Sequence, residues 1–579
     1  MIFAVMALAM SAVAQQAPDS VRLHELFTQR WQYTMREYPE FATSVGYPGQ
    51  NARWTDYSLT ALARRKRELN DPLNVLRTID RAKLGPTDQL NYDLFRRNLT
   101  DALDESRFPG ELLAISQLDG VQQDVPSTIA KMPAGSVHDY EDILARLRAV
   151  PVLVSQTVAL LERGLASGIT PPRITLRDVP SQAQDLVVDD PLTSPLLGAF
   201  AHFPASVPAA EQQRLRAAAV AAYRDSVAPA FRKLATFLRD RYVPAARTTT
   251  GIRDLPNGIA WYQVRARGST TTDLTPEQIH AIGLAEVKRI RAAMDSVIAA
   301  SGFKGGGFTE FVQFLRTDPR FYWSTADDLM RASRELMKRI DPELTRLFGI
   351  LPRLPYGVAP IPAYSERSQT TAYYQPGSPL AHRAGTYFVN TYNLPARPKW
   401  EMEALSLHEA VPGHHLQIAL AQELEGVPEF RRFGGYTAFV EGWGLYSESL
   451  GEELGLYTDP YSKFGQLTYE MWRAIRLVID TGIHTMGWTR EQAIDYFKAN
   501  AAKTEHDITI EVDRYIVWPG QALAYKIGEL KIKELRAYAA RTLGDRFDVR
   551  AFHDQVLGAG AVPLDVLDAR IRTWVASVR

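Results

Sequence analysis

From Val21 onward, apolar residues recur at steps of three and four between charged ones, as in Tyr140-Glu141-Asp142-Ile143-Leu144-Ala145-Arg146-Leu147. That spacing lines one face of an α-helix, so the chain is expected to fold mainly into helices. Start signals agree with the spacing. Thr275-Pro276-Glu277-Gln278 has a capping Thr, a Pro at the first helical position and a returning Gln, and Thr489-Arg490-Glu491-Gln492 repeats the cap-and-return pair. They predict helices from about 276 and about 490. Strand-like runs are few: Gly258-Ile259-Ala260-Trp261-Tyr262-Gln263-Val264 and Gly385-Thr386-Tyr387-Phe388-Val389-Asn390, each bounded by turn formers. Pro and Gly concentrate over 351–398, which reads as irregular structure lining a cleft, with room for a small sheet.

A chain of 579 residues with 46% apolar content suggests more than one lobe. A soft boundary around Arg247-Thr248-Thr249-Thr250-Gly251 divides an N-terminal helical half, 15–260, from a C-terminal helical half, 261–579. Lys plus Arg equals Asp plus Glu, 66 each, so no overall positive field draws the chain to nucleic acid. The aromatic residues are spread through helical segments, as core packing requires. Gly305-Gly306-Gly307 lacks the Lys-Ser/Thr ending of a phosphate loop and reads as a turn. No G-x-S-x-G elbow of a serine hydrolase is present.

The run Met1 to Met10 is apolar but too short to span a bilayer, and Ala12-Val13-Ala14 offers small residues for cleavage. Residues 1–14 therefore read as a signal peptide, and the mature chain as exported, periplasmic or secreted, without an integral membrane segment. The missing positive n-region leaves the true start codon open. No Cys occurs in the sequence, which excludes disulfides, thiolate ligands, a Cys nucleophile and lipid attachment through Cys. Any metal must be held by His and carboxylates.

Of eleven His, three fall in His408-Glu409-Ala410-Val411-Pro412-Gly413-His414-His415. A hydrolytic zinc ion takes three protein ligands and leaves a position for water, whose proton a nearby carboxylate removes. His408-Glu409 opens like H-E-x-x-H, in which two His four apart share a helical face. Here the later His stand six and seven places on. In a regular helix, at ~100° and ~1.5 Å per residue, His414 points ~120° away, while His415 shares the face but sits ~10 Å along the axis. Pro412 removes a backbone donor and clashes with the preceding turn, so the helix must kink or bulge, and a bulge can swing His414 back. We favour His408 and His414 as ligands, with His415 the alternative second ligand or a transition-state donor. Glu441, between Val440 and Gly442, is the expected third ligand, because a metal would offset the cost of burying its carboxylate. Glu448 is expected to hydrogen-bond a ligand His.

The stretch from His408 to Gln417 resembles the hallmark of the bacterial domain of unknown function 885 family. The likeness extends through Ala372-Tyr373-Tyr374, His382 to Asn390, Glu441 to Glu448, and Arg514-Tyr515 through Pro519-Gly520-Gln521-Ala522 to Gly528. That family is similar in turn to helical gluzincin peptidases, the thimet oligopeptidase and carboxypeptidase Taq families. The resemblance implies a mainly α, two-lobed fold with a deep central cleft, one zinc ion on His408, His414 and Glu441, and Glu409 as general base. It also implies later tyrosines, Tyr515 and Tyr525, that stabilise the tetrahedral intermediate. Arg383, Tyr387, Arg514 and Lys526 are the candidate substrate-binding residues. Asp480 and His484, four apart, read as a helix pair.

The function expected is zinc-dependent hydrolysis of peptide bonds in short peptides. Hydrolysis of another amide or ester, and peptide binding without turnover, are the alternatives. Exo- or endopeptidase mode, side-chain specificity, physiological metal and oligomeric state stay open.

Overall fold

The computed structural model describes residues 17–362, 366 and 369–578. The expected signal peptide, 1–14, lies outside the described residues. The chain is mainly helical, with one three-stranded sheet among the described residues.

In the N-terminal half, one hydrophobic core runs from Ile115 to Ala246. Helix α1 (Val121–Lys131) and the long α2 (Val137–Ser167) contribute to it. A capping box between Ser136 and Asp139 starts α2. By length and composition α2 could cross a membrane, but its Ile143, Leu144, Leu147, Val150, Val154 and Leu161 are buried in this core. A separate core begins at Ile252 and joins Trp261 and Tyr262 to residues as distant as Leu564.

The segment expected as a strand over 258–264 is instead the start of α3 (Gly258–Thr270). Gly258, Trp261, Tyr262, Ala266 and Thr270 are its buried positions, a spacing of three and four that a short apolar run does not distinguish from strand alternation. The two predicted helix starts are present. Thr275 caps α4 (Pro276–Ala300) and Thr489 caps a helix over Arg490–Asn500, both through capping boxes.

The sheet occupies the Pro- and Gly-rich region. Its strands are β1 (Tyr356–Pro360), β2 (Ala372–Gln375) and β3 (Gly385–Val389), in the order β1-β3-β2. β1 runs parallel to β3, with Tyr356 opposite Gly385, and β2 runs antiparallel to it, with Ala372 opposite Val389. This leaves β2 on an edge.

After the sheet come α5 (Met402–Glu409), α6 (His414–Gln422), α7 (Thr437–Ser449), α8 (Pro460–Thr485), α9 (Glu505–Val517) and α10 (Ala524–Leu543). α8 is buried along most of its length and packs along α4. α7 lies tight against α10, because a Cβ on Gly528 would sit 1.8 Å from the Ala438 carbonyl oxygen. That approach fixes α7, which carries Glu441 and Glu448, relative to the rest of the half.

Candidate metal centre

α5 ends at Glu409, and α6 begins at His414. Between them Pro412 interrupts the ladder, and its carbonyl accepts a hydrogen bond of 2.8 Å from Trp443 Nε1 on α7. The break turns His414 back beside His408, with ring centroids 4.7 Å apart and planes 82° to each other. One ligand atom each from His408, His414 and Glu441 lies within 4.8 Å of the other two.

Glu441 Oε2 stands 3.5 Å from His408 Nε2 and 3.4 Å from His414 Nε2. Those separations exceed a good N–H···O bond, and the buried Oε2 has no hydrogen-bond partner among the described residues. A buried carboxylate oxygen left between two imidazoles is a donor set spaced for a cation, and two nitrogens with one oxygen suit zinc. Burial opposes ionisation of Glu441, but the two imidazoles outweigh it and hold the carboxyl well below its ordinary range. At His408 burial disfavours the charged ring, yet Glu441 and Glu448 push its proton up to about 10. A metal held at Nε2 would take the place of that proton, so binding would release it.

Glu448, fully buried, accepts from His408 Nδ1 at 2.8 Å and lies 3.4 Å from Arg473. Gln417 Nε2 contacts His414 Nδ1 at 2.9 Å and donates to the Val440 carbonyl at 2.8 Å. A ligating Nε2 on His414 needs its proton on Nδ1, so metal binding requires Gln417 to turn its amide oxygen toward the ring.

Glu409, His408, His414 and Glu441 share one cavity of about 390 Å³. Its walls come from Gln117 and Leu118 in the N-terminal half, from Tyr373 and Tyr374 on β2, from Trp472, Arg473 and Arg476 on α8, and from Arg514 and Tyr525. Glu409 Oε2 accepts from the Tyr374 backbone N–H at 2.9 Å, and burial raises its carboxyl above the usual range. Tyr525 stacks over His408 at 6.3 Å, and its hydroxyl accepts from Arg514 at 3.0 Å.

The structure separates the other candidates from this cavity. His415 points the opposite way: its Nδ1 contacts the Tyr374 hydroxyl at 2.8 Å, its ring tilts on Tyr356, and burial lowers its pKa to about 4. It is neither beside Glu441 nor on the cavity wall. Tyr515 is buried behind the wall, its oxygen accepting from Trp472 Nε1 and Arg476 Nε, so it supports Arg476 rather than facing a substrate. Tyr387 is buried against Ser406 at 3.2 Å. Lys526 is wholly buried, 2.7 Å from Glu470, 2.6 Å from Glu529 and 3.0 Å from Glu286. Arg383 lines a separate, neighbouring pocket. Asp480 and His484 do not pair. Asp480 accepts from the Tyr262 hydroxyl and the Gly520 N–H, and His484 accepts from Ile252 N–H and donates to the Tyr515 carbonyl.

Tyr374, Gln417, Arg473 and Arg476 were not among the site residues expected from the sequence, although Tyr374 and Gln417 lie in the stretches that carry the resemblance. Gln417 had a signal, lying three residues after His414 on one helical face. The two arginines had only their occurrence, three apart, in an otherwise apolar stretch of α8.

No curated protein matches the chain. The crystal structure of "the putative lipoprotein from Colwellia psychrerythraea" superposes with a TM-score of 0.92 at 28% identity, over 97% of this chain and 100% of that one. A second structure, "a putative lipoprotein of unknown function from Shewanella oneidensis", shares the fold with a TM-score of 0.72 at 17% identity over the same shares. The family model described as bacterial protein of unknown function (DUF885) matches residues 39–571, and the chain belongs to that family.

Proposed function

We propose that this protein is an exported zinc-dependent hydrolase of peptide bonds in short peptides, with two helical lobes around a cleft in the manner of the gluzincin peptidases. One observation carries the reading: the ligand atoms of His408, His414 and Glu441 converge within 4.8 Å on the wall of the cavity that also holds Glu409. A zinc ion held by these three would supply Lewis-acid chemistry, acidifying water and polarising a carbonyl.

The chain's own residues do the rest. Glu409, with one oxygen anchored by the Tyr374 N–H, takes the proton of the attacking water and passes it to the leaving amine. Its raised pKa suits a group that must both accept and return a proton. The Tyr525 hydroxyl, oriented by Arg514, donates to the oxyanion that forms as the carbonyl becomes tetrahedral. Glu448 holds the His408 tautomer. Export is supported by the apolar amino-terminal run and by the word lipoprotein in the description of the two similar structures.

Elemental mass spectrometry of the purified mature chain tests the site. About one zinc per chain, absent from His408→Ala, is expected. Peptide-library cleavage, abolished in Glu409→Gln, then tests the reaction. Zinc without peptide cleavage, but with turnover of acyl amides or esters, would move the assignment to those bonds. No metal after zinc loading would leave a peptide-binding protein.

A further inference from the structure

A second pocket, of about 260 Å³, adjoins the metal centre. Among the described residues, three cations line it, Lys131, Arg383 and Arg432, and no acidic side chain does. Among the described residues none of the three forms an ion pair: Arg383 donates to the Ser44 carbonyl at 2.9 Å, and Arg432 donates to the Gln422 carbonyl. Arg383 Nε is buried without a partner. Burial and the neighbouring Arg383 both depress the Lys131 ammonium, outweighing the smaller opposing pull of Asp124, as expected of cations gathered together.

Two features tie the pocket to the site. Gln417 forms part of its wall and also contacts His414 Nδ1. Gln375, the last residue of edge strand β2, lines it directly after Tyr374, whose N–H holds Glu409. One strand residue spans ~3.3 Å, so an extended peptide lying along β2 passes from the Glu409 end of the cavity to the cationic pocket within one or two residues.

The pocket also contains a buried acceptor. Gln422 is 5% exposed, its Nε2 donates to the Gly377 carbonyl at 3.1 Å, and its Oε1 has no partner. Cations beside an unfilled acceptor call for a ligand that brings a negative charge and an N–H together. The carboxyl end of a peptide has both, its terminal carboxylate and the adjacent amide, whereas a phosphate ion has no N–H.

We propose that this pocket is the subsite for the free C-terminal carboxylate of the substrate, so that the enzyme releases one or two residues from the carboxyl end. The inference rests on the peptidase reading above. It names Arg383, Lys131 and Gln422 as determinants of specificity.

The test uses the zinc-loaded full chain and matched peptides with a free or an amidated carboxyl end, each with a free or acetylated amino end. Amidation is expected to lower kcat/KM about ten-fold or more, with acetylation neutral. Arg383→Gln is expected to cut free and amidated peptides alike, and Arg383→Lys to restore part of the preference. An amidated peptide with Asp or Glu at its last position separates terminal from side-chain carboxylate: recovery of full rate would overturn the assignment to the chain end. Equal cleavage of free and amidated peptides by the wild type would overturn the subsite itself.

Calorimetric binding of the same peptides to Glu409→Gln keeps the two readings apart. Binding of the acid over the amide, lost with Arg383→Gln, in a chain whose wild type cleaves nothing, would sink the peptidase reading and leave the subsite standing. No discrimination in this binding experiment would sink the subsite whatever the activity.

Discussion

Glu448, buried on α7, accepts the Nδ1 proton of His408 over 2.8 Å, which turns Nε2 of His408 toward Glu441. The carboxylate thus orients the ring and adds negative charge behind the candidate cation site. Glu448→Gln keeps the shape and an accepting oxygen but removes the charge. Zinc affinity, measured by chelator competition, is expected to fall by roughly 10-fold or more. An unchanged affinity would show that the pair serves packing alone.

Gly444 lies on the same helix, one turn before Glu448, directly against the imidazole. A Cβ there would stand 2.8 Å from His408 Cε1 and 2.9 Å from Nε2, and the ring is held from behind by Glu448 and cannot simply turn away. Gly444→Ala is expected to displace His408 and abolish zinc binding at the proposed site, while helix propensity itself favours Ala. Zinc content and far-ultraviolet circular dichroism together check this. A folded variant that still binds a full equivalent of zinc would show that the ring has room to yield.

The helical fold was legible because its signals are local. Capping pairs such as Thr275 with Gln278 and apolar spacing along α2 act within a turn or two of chain. The convergence of the candidate ligands was legible for a related reason: His408 and His414 are close in sequence, and the Pro412 break could be inferred from backbone chemistry alone. What could not be read depends on which way a side chain turns once helices pack. Tyr515 and Tyr525 look alike in sequence, yet only Tyr525 faces the cavity, while Tyr515 receives Trp472 and Arg476 behind the wall. Trp261 misled for the opposite reason, since an apolar run too short to show its period reads as a strand until its packing partners are known.

Buried neutral histidines predict acid sensitivity. His553, fully buried, donates Nδ1–H to the Leu347 carbonyl at 2.8 Å and contacts the Tyr446 hydroxyl through Nε2 at 2.8 Å, and burial lowers its pKa to about 4. Its folded pKa is depressed below the unfolded value near 6.5, so the unfolded chain binds the extra proton between these limits. The stability that His553 contributes is complete above about pH 6.5 and is lost as pH falls toward 4, on the order of 3 kcal/mol over that window. His553→Gln removes this proton uptake. The wild type should exceed the variant in denaturant-measured stability at pH 7, and the gap should narrow steadily toward pH 4. A gap independent of pH would refute the assignment of a neutral buried ring.

Lys526 separates a structural from a substrate-binding role most sharply. Its ammonium sits among Glu286, Glu470 and Glu529, and Glu529 is also paired with Lys533. Removing the central cation leaves the three carboxylates to Arg289 and Lys533, both far more exposed than the wholly buried Lys526. Lys526→Met should therefore destabilise the fold by roughly 3–5 kcal/mol. Because Lys526 does not line the cavity that holds Glu409 and the candidate ligands, the fraction that remains folded should keep the KM of the proposed activity. The opposite pattern, a raised KM with an unchanged Tm, would return Lys526 to the substrate and would mean that the Glu470 and Glu529 side chains rearrange when substrate binds.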